Sequence, residues 1–229
     1  EFHTFVGSFM ITAFYVSSGW LSAQKTTDLS LNDFTKKRFK QLGIPYLYWT
    51  GIILTFDCLL WLCGYYDSYF ISKEIYKSLV LRGCGTLWFL PAIFGGGIIW
   101  HILEKKKNIY ILVALILTTI YGLIYDYLFV TSSTALQEST IMNIINAPMR
   151  VILNILQAWV GIAFGYYSYR LSKKILNKYK MLFIAGLSLL LLAFYFANYY
   201  PFNVKFAWHY FAPLLGPLGW IYLFKSVQE

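Results

Sequence analysis

Long apolar stretches make up most of this sequence, and short polar segments separate them. Seven stretches run for about twenty residues, enough for a helix to cross a hydrocarbon core about 30 Å thick. They lie roughly at Phe2–Ser22, Gly43–Tyr65, Thr86–Leu103, Ile109–Val130, Met149–Tyr169, Met181–Tyr199 and Phe206–Phe224. Pro91 and Gly95–Gly97 interrupt the third. The pattern predicts an all-α protein, a polytopic bundle of transmembrane helices forming a single domain over residues 1–229.

The composition fits a lipid environment better than an aqueous one. Hydrophobic residues make up 59% of the chain and charged residues 13%, whereas an ordinary soluble domain has about half and about a quarter. These values exclude a water-soluble single domain, a disordered chain and a nucleic-acid-binding module. We therefore expect membrane lipids, and no nucleic acid, among the partners.

The basic residues predict the orientation, because Lys and Arg concentrate in cytoplasmic loops. If the chain crosses at every stretch, fourteen of the 19 lie on one side: Lys25, Lys36, Lys37, Arg38, Lys40, Lys105, Lys106, Lys107, Arg170, Lys173, Lys174, Lys178, Lys180 and Lys225. The other side holds Lys73, Lys77, Arg82, Arg150 and Lys205. The sequence thus predicts an integral membrane protein with residue 1 outside, residue 229 inside, and residues 66–85 and 131–148 as short outer segments.

Ionisable residues inside the apolar stretches are costly and usually mark a site. Asp57, Arg150 and His209 all fall in the predicted outer half of the membrane, where they could line a polar substrate pocket. Arg150 could equally be an interfacial residue that only extends its charge to water. For His101, at the inner end of the third stretch, we expect a hydrated interface.

The three cysteines show no spacing typical of a zinc site, and we expect no metal. Cys63 and Cys84 fall on the same predicted outer side. They could form a disulfide in an oxidising compartment or remain free thiols.

A basic segment follows the first stretch on the predicted inner side. Lys37 and Lys40 are three residues apart and would share one face of a helix, with Arg38 beside them. Pro45 fits the first turn of a new helix. Such a cluster can bind anionic lipid headgroups, or it can hold the phosphates of a cytosolic cofactor.

Four stretches resemble motifs of the acyltransferase-3 family of membrane acyltransferases. Ser8–Gly19 (SFMITAFYVSSG) resembles its FFxxSG helix, and Lys37–Tyr46 (KRFKQLGIPY) resembles its RxxRLxxPY segment. Leu87–Pro91 (LWFLP) is similar to its WFL signature. Arg150 followed by Trp159–Gly165 (WVGIAFG) is similar to its R…FFxxGxxxG helix. The order and spacing of the four motifs make the resemblance more specific than any one of them.

The resemblance implies a bacterial cytoplasmic-membrane protein of about ten helices. Its reaction would move an acyl group from acetyl-CoA or another cytosolic acyl-CoA to a sugar hydroxyl of a cell-envelope glycan or lipid-linked precursor. Lys37, Arg38 and Lys40, together with Trp88 of the WFL motif, would then bind the donor. Gln41 stands where the family has a second arginine, and Lys40 beside it can supply a point charge but not a bidentate fork.

The family's catalytic histidine and its partner arginine belong to a helix upstream of the FFxxSG motif. We therefore expect them before residue 1, leave the catalytic residues of this chain unknown, and expect two more helices after residue 229. Read this way, the sequence is a fragment that is inactive by itself. A transporter or receptor-like bundle that binds a small polar ligand, and a catalytically inactive relative, remain alternatives.

Overall fold

The computed structural model describes residues 2–24, 29–131, 140–175, 179–199 and 205–228. Within these ranges the regular structure is helical and contains no strand, so the prediction of an all-α protein is confirmed. In chain order the helices are α1 (Phe2–Gln24), α2 (Leu31–Arg38), α3 (Ile44–Leu62), α4 (Ser68–Leu79), α5 (Phe89–Leu103), α6 (Asn108–Asp126), α7 (Thr140–Ile175), α8 (Tyr179–Tyr199) and α9 (Lys205–Gln228). A π-helical turn, Phe39–Gly43, joins α2 to α3, and another, Tyr127–Thr131, follows α6.

Three helical segments in the described part are long and apolar enough to cross a membrane: Leu31–Leu62, Asn108–Phe129 and Ile144–Lys173. Shorter apolar segments are Phe89–Leu103 and Phe183–Ala193. Large hydrophobic side chains lie exposed along α6, among them Leu117 and Ile120. Apolar surface of this extent suits contact with lipid, and the protein is an integral membrane bundle. The count of seven crossings stays a prediction.

The contacts divide the chain into two compact units, and the first contains Glu1–Asp28 and Ala158–Glu229. Its helices approach closely at glycines. A Cβ atom on Gly19 of α1 would overlap the carbonyl oxygen of Ile162 of α7, and one on Gly165 would overlap that of Val16. Because membrane helices gain stability from such close backbone packing, the small residues bring α1 and α7 together.

Helices α8 and α9 of the first unit also approach closely at glycines. A Cβ atom on Gly186 would lie 2.9 Å from the carbonyl oxygen of Gly219, and the reverse distance is also 2.9 Å. Val16, Leu214 and Leu218 form a buried apolar cluster beside these contacts.

The second unit, Leu29–Gln157, contains the helical run Leu31–Leu62, made of α2, the π-helical turn and α3. Ser30 caps this run, because its Oγ accepts a hydrogen bond from the backbone N–H of Asp33 at 3.2 Å. Pro45 lies in the first turn of α3, directly after the π-helical turn.

Helix α4 falls within the predicted outer segment, residues 66–85. Asp67 caps it by accepting from the N–H of Phe70 at 2.8 Å, and α4 then packs along α3. At its start the indole of Trp61 donates to Ser68 Oγ at 3.3 Å, and near its end the Tyr46 hydroxyl donates to the Ser78 carbonyl at 3.1 Å. The segment therefore returns antiparallel along α3.

Helix α5 continues this return beside α2 and the π-helical turn. The rings of Phe94 and Phe39 meet edge to face at 6.2 Å, and those of His101 and Phe34 stack at 4.2 Å. A helix of 15 residues is only about 22 Å long. Helices α4 and α5 together, with the break between them, therefore match the length of the run Leu31–Leu62.

The start of α7 falls within the predicted outer segment, residues 131–148. Residues 140–148 belong to α7, with Pro148 inside the helix, whereas 132–139 lie outside the described residues. On the facing helix α6, the Tyr121 hydroxyl donates to the Met149 carbonyl at 2.9 Å.

Candidate functional site

The predicted donor-binding cations lie at the junction of α2 and α3. Lys37 and Arg38 end α2, and Lys40 lies in the π-helical turn. The two lysines are exposed, whereas Arg38 is half-buried with its Cζ 5.4 Å from the ring centroid of Phe34. This contact orients the guanidinium and leaves the two ammonium groups accessible to a ligand.

His101 fixes this segment against α5. Its ring lies parallel to that of Phe34, with an interplanar angle of 2°. Its Nε2 lies 3.2 Å from the carbonyl oxygen of Leu29, and its Nδ1 lies 3.0 Å from Oε1 of Glu104. The side chain is 8% exposed, so the expectation of a hydrated interface is wrong. His101 is a packing residue that holds Phe34 under Arg38.

The π-helical turn adds one residue to the helical run within the basic motif. Such π-bulges are frequent at functional sites. Phe39, inside the turn, points toward α5. A Cβ atom on Gly43 would lie 2.5 Å from Phe39 Cδ2, so Gly43 makes room for this ring. The turn thus changes which face of the helix the neighbouring cations occupy.

The break between α4 and α5 leads into the WFL motif. Leu81, Gly83 and Gly85 have positive φ angles of 64°, 68° and 56°. For Leu81 this conformation is strained, and such strain concentrates at functional sites. A Cβ atom on Gly83 would lie 3.0 Å from the backbone nitrogen of Trp88, which is half-buried.

Tyr46 lies beside this break and interacts with the backbone of Gly83. Because Tyr46 is near the start of the predicted second span, the break lies alongside that span and not beyond its outer end. Irregular backbone at membrane depth is tolerated only where protein buries it or where it lines a cavity. We therefore include the break and Trp88 in the candidate site.

The sequence left two alternatives for Cys63 and Cys84, a disulfide or free thiols, and the structure shows both as free thiols. Cys63 is exposed, whereas Cys84 is buried in the break with its Sγ 3.3 Å from Ser78 Oγ.

Asp57 lies on α3 within electrostatic reach of Glu74 on α4. Glu74 is 8% exposed and forms an ion pair with Lys77 at 2.5 Å. Glu74 is not among the predicted site residues, because it falls within the predicted outer segment, residues 66–85. The signal was present in Asp67, a good helix cap, followed by Ile71 and Glu74 at helical spacing.

Arg150 lies on α7 and contacts α6. Its Nη1 donates to the Tyr125 hydroxyl at 3.4 Å, and that hydroxyl donates to Asn146 Oδ1 at 2.8 Å. Asp57 and Arg150 therefore have different described neighbours, on α4 and α6. His209 belongs to α9, but its side chain lies outside the described residues. The pocket of Asp57, Arg150 and His209 stays a prediction.

Comparison with known proteins gives one match. A family model described as an acyltransferase domain matches residues 1–226. The match covers all four motifs quoted above and confirms the resemblance drawn from them. No curated protein and no solved structure matches the chain.

Proposed function

The chain belongs to the acyltransferase-3 family, and we propose that it O-acetylates a cell-envelope sugar or lipid-linked glycan in the bacterial cytoplasmic membrane, with cytosolic acyl-CoA as the donor. The family makes the protein a membrane acyltransferase. The donor, acceptor and compartment are the parts that we propose.

In this reaction the acceptor hydroxyl attacks the thioester carbonyl. An ester C–O bond forms, the C–S bond breaks, the hydroxyl proton passes to a general base, and coenzyme A leaves as the thiolate. A histidine would suit the base. The residues of this chain would bind the donor and the acceptor and orient them.

The observation that carries the donor assignment is the exposed basic segment at the π-helical turn. Lys37 and Lys40 present ammonium groups, and Arg38 is oriented by Phe34. Phosphate groups of coenzyme A would accept charge-assisted hydrogen bonds from these cations. The segment is also on the predicted cytosolic side, where the donor is found.

The position of Trp88 supports a path from the donor to the acceptor. Along the run Leu31–Leu62 the cations come first, Tyr46 beside the break follows, and Asp57 comes last. Lys40 and Asp57 are separated by about 25 Å of helix, close to the thickness of the hydrocarbon core. An acyl group that enters at the cations would pass the break and Trp88 before it reaches Asp57.

The donor assignment is tested with the triple variant K37Q/R38Q/K40Q of the full-length protein. Each lost charge-assisted contact is worth about 1.5 kcal/mol or more, so losing all three should raise KM for acetyl-CoA by about 1,000-fold or more. The assay follows labelled acetyl from acetyl-CoA into membrane glycans.

The matched control is K73Q/K106Q/K107Q, which removes the same charge at three exposed lysines elsewhere in the second unit. Its KM should equal that of the wild type. If the KM of K37Q/R38Q/K40Q is also unchanged, the segment binds lipid headgroups and the donor assignment is wrong.

A further inference from the structure

The first unit contains a cavity of about 670 Å³ that the donor and acceptor assignments do not use. It lies between the ends of α1, α7 and α9 on the predicted inner side. Its lining includes Trp20, Leu21, Tyr169, Lys173, Phe224 and Lys225. Among these described residues two are cationic and none is acidic.

Both ammonium groups converge on the same ring. The Nζ atoms of Lys173 and Lys225 lie 4.9 Å and 5.9 Å from the ring centroid of Tyr169, and Nζ of Lys225 also lies 5.8 Å from that of Trp20. Cation–π contacts are individually weak. They do not neutralise two like charges held near one ring, so an anion in the cavity would relieve their repulsion.

The cavity wall is held by contacts of its own. Nζ of Lys225 donates to Ser172 Oγ at 3.3 Å, and this buried hydroxyl donates to the Tyr169 carbonyl at 2.8 Å. Trp20 meets the ring of Tyr169 edge to face at 5.1 Å. Lys225 and the two aromatic rings therefore form a fixed wall for a bound group.

The rim of the cavity is apolar. Leu21 and Phe224 are 54% and 64% exposed, and both line the cavity. A ligand that matches this arrangement has an anionic head between the lysines and an apolar body along the rim. A phosphate ester on an apolar chain has this chemistry, and lysine ammonium groups bind phosphate as point charges.

We propose that this cavity binds the phosphate of an anionic phospholipid from the inner leaflet. The exposed apolar rim favours a lipid over a soluble phosphate compound, because acyl chains would cover Leu21 and Phe224. The residues of this cavity belong to the first unit, whereas the donor segment belongs to the second unit. The lipid would act as a structural ligand of α1, α7 and α9.

The test uses native mass spectrometry of the full-length protein with phosphatidylglycerol and with phosphatidylcholine of the same acyl chains. Wild-type protein should retain phosphatidylglycerol preferentially. K173Q/K225Q should weaken that binding at least tenfold and leave phosphatidylcholine binding unchanged. K173R/K225R keeps both charges and should retain the preference, which separates loss of charge from misfolding.

K106Q/K107Q is the matched control, because it removes two exposed lysines outside the cavity. An unchanged preference for phosphatidylglycerol in K173Q/K225Q would overturn the proposal. Each preparation is also titrated with coenzyme A. Normal phosphatidylglycerol binding with weakened coenzyme A binding in K173Q/K225Q would overturn the lipid assignment and give the phosphate site to the donor. Neither readout depends on acyl transfer.

Discussion

Two buried tyrosines show how differently a hydroxyl can be placed in this protein. Tyr15 on α1 is 2% exposed, and its hydroxyl has no hydrogen-bond partner among the described residues. Tyr46 on α3 is 4% exposed, and its hydroxyl donates to the Ser78 carbonyl. An unsatisfied buried hydroxyl costs about 1–3 kcal/mol, whereas a satisfied one is stabilising.

Removing the two hydroxyls should therefore have opposite effects. Tyr15→Phe should leave the free energy of unfolding unchanged or raise it by about 1 kcal/mol, because a costly polar atom is lost. Tyr46→Phe should lower it by about 1–2 kcal/mol, because the Ser78 carbonyl loses its donor. Thermal unfolding of both variants in detergent measures the difference, and equal losses in the two would contradict it.

At the level of helices, two of the family motifs are explained by packing. Gly19 ends the Ser8–Gly19 motif, and Gly165 ends the Trp159–Gly165 motif. The two motifs meet where α1 crosses α7, and the glycines let the backbones touch. The sequence resemblance in these stretches therefore reports on helix contacts and does not by itself locate the chemistry.

Gly165→Ala should destabilise the protein by about 1–3 kcal/mol, because the new methyl group would overlap the Val16 carbonyl of a neighbouring helix backbone. Gly51→Ala is the matched control, since a Cβ atom there meets nothing within 4 Å. On helix propensity alone that variant should be neutral or slightly more stable. The melting temperatures in detergent should separate the two, and equal values would refute the packing role of Gly165.

The helices also show how much of the fold could be predicted from the sequence. Long apolar runs predicted the main helices. In lipid, backbone N–H and C=O groups have no water partners and are satisfied by hydrogen bonds within a helix. The sequence indicated residues 66–85 as an outer segment and did not predict helix α4 within it. The position of α4 depends on side-chain contacts with α3, such as the hydrogen bond from Tyr46 to the Ser78 carbonyl.

For the candidate site, the i,i+3 spacing predicted that Lys37 and Lys40 lie near each other. The sequence contains no periodic pattern that predicts the π-helical turn Phe39–Gly43. The burial of His101 depends on stacking with Phe34. Contacts of this kind form between different helices, so the periodicity of a single helix cannot predict them.

For the whole molecule, the uneven distribution of basic residues predicts one orientation in the membrane. In a cysteine-free background, Asn108→Cys should be protected from a membrane-impermeant thiol reagent in intact cells, whereas Tyr65→Cys should react. Both positions are exposed in the structure, so burial in the protein does not explain a difference. Labelling at Asn108 with protection at Tyr65 would invert the orientation and remove the donor segment from the cytosol.

The crossing of α1 with α7 also constrains how the protein is made. Ile162, which Gly19 contacts, leaves the ribosome about 140 residues after Gly19. At roughly 5–20 residues per second, α1 is in the bilayer for about 7–28 s before its partner is synthesised. During that interval the face of α1 that carries Gly19 lacks the α7 backbone against which it packs in the folded protein. Biogenesis of this protein therefore depends on keeping an early helix available for a late one.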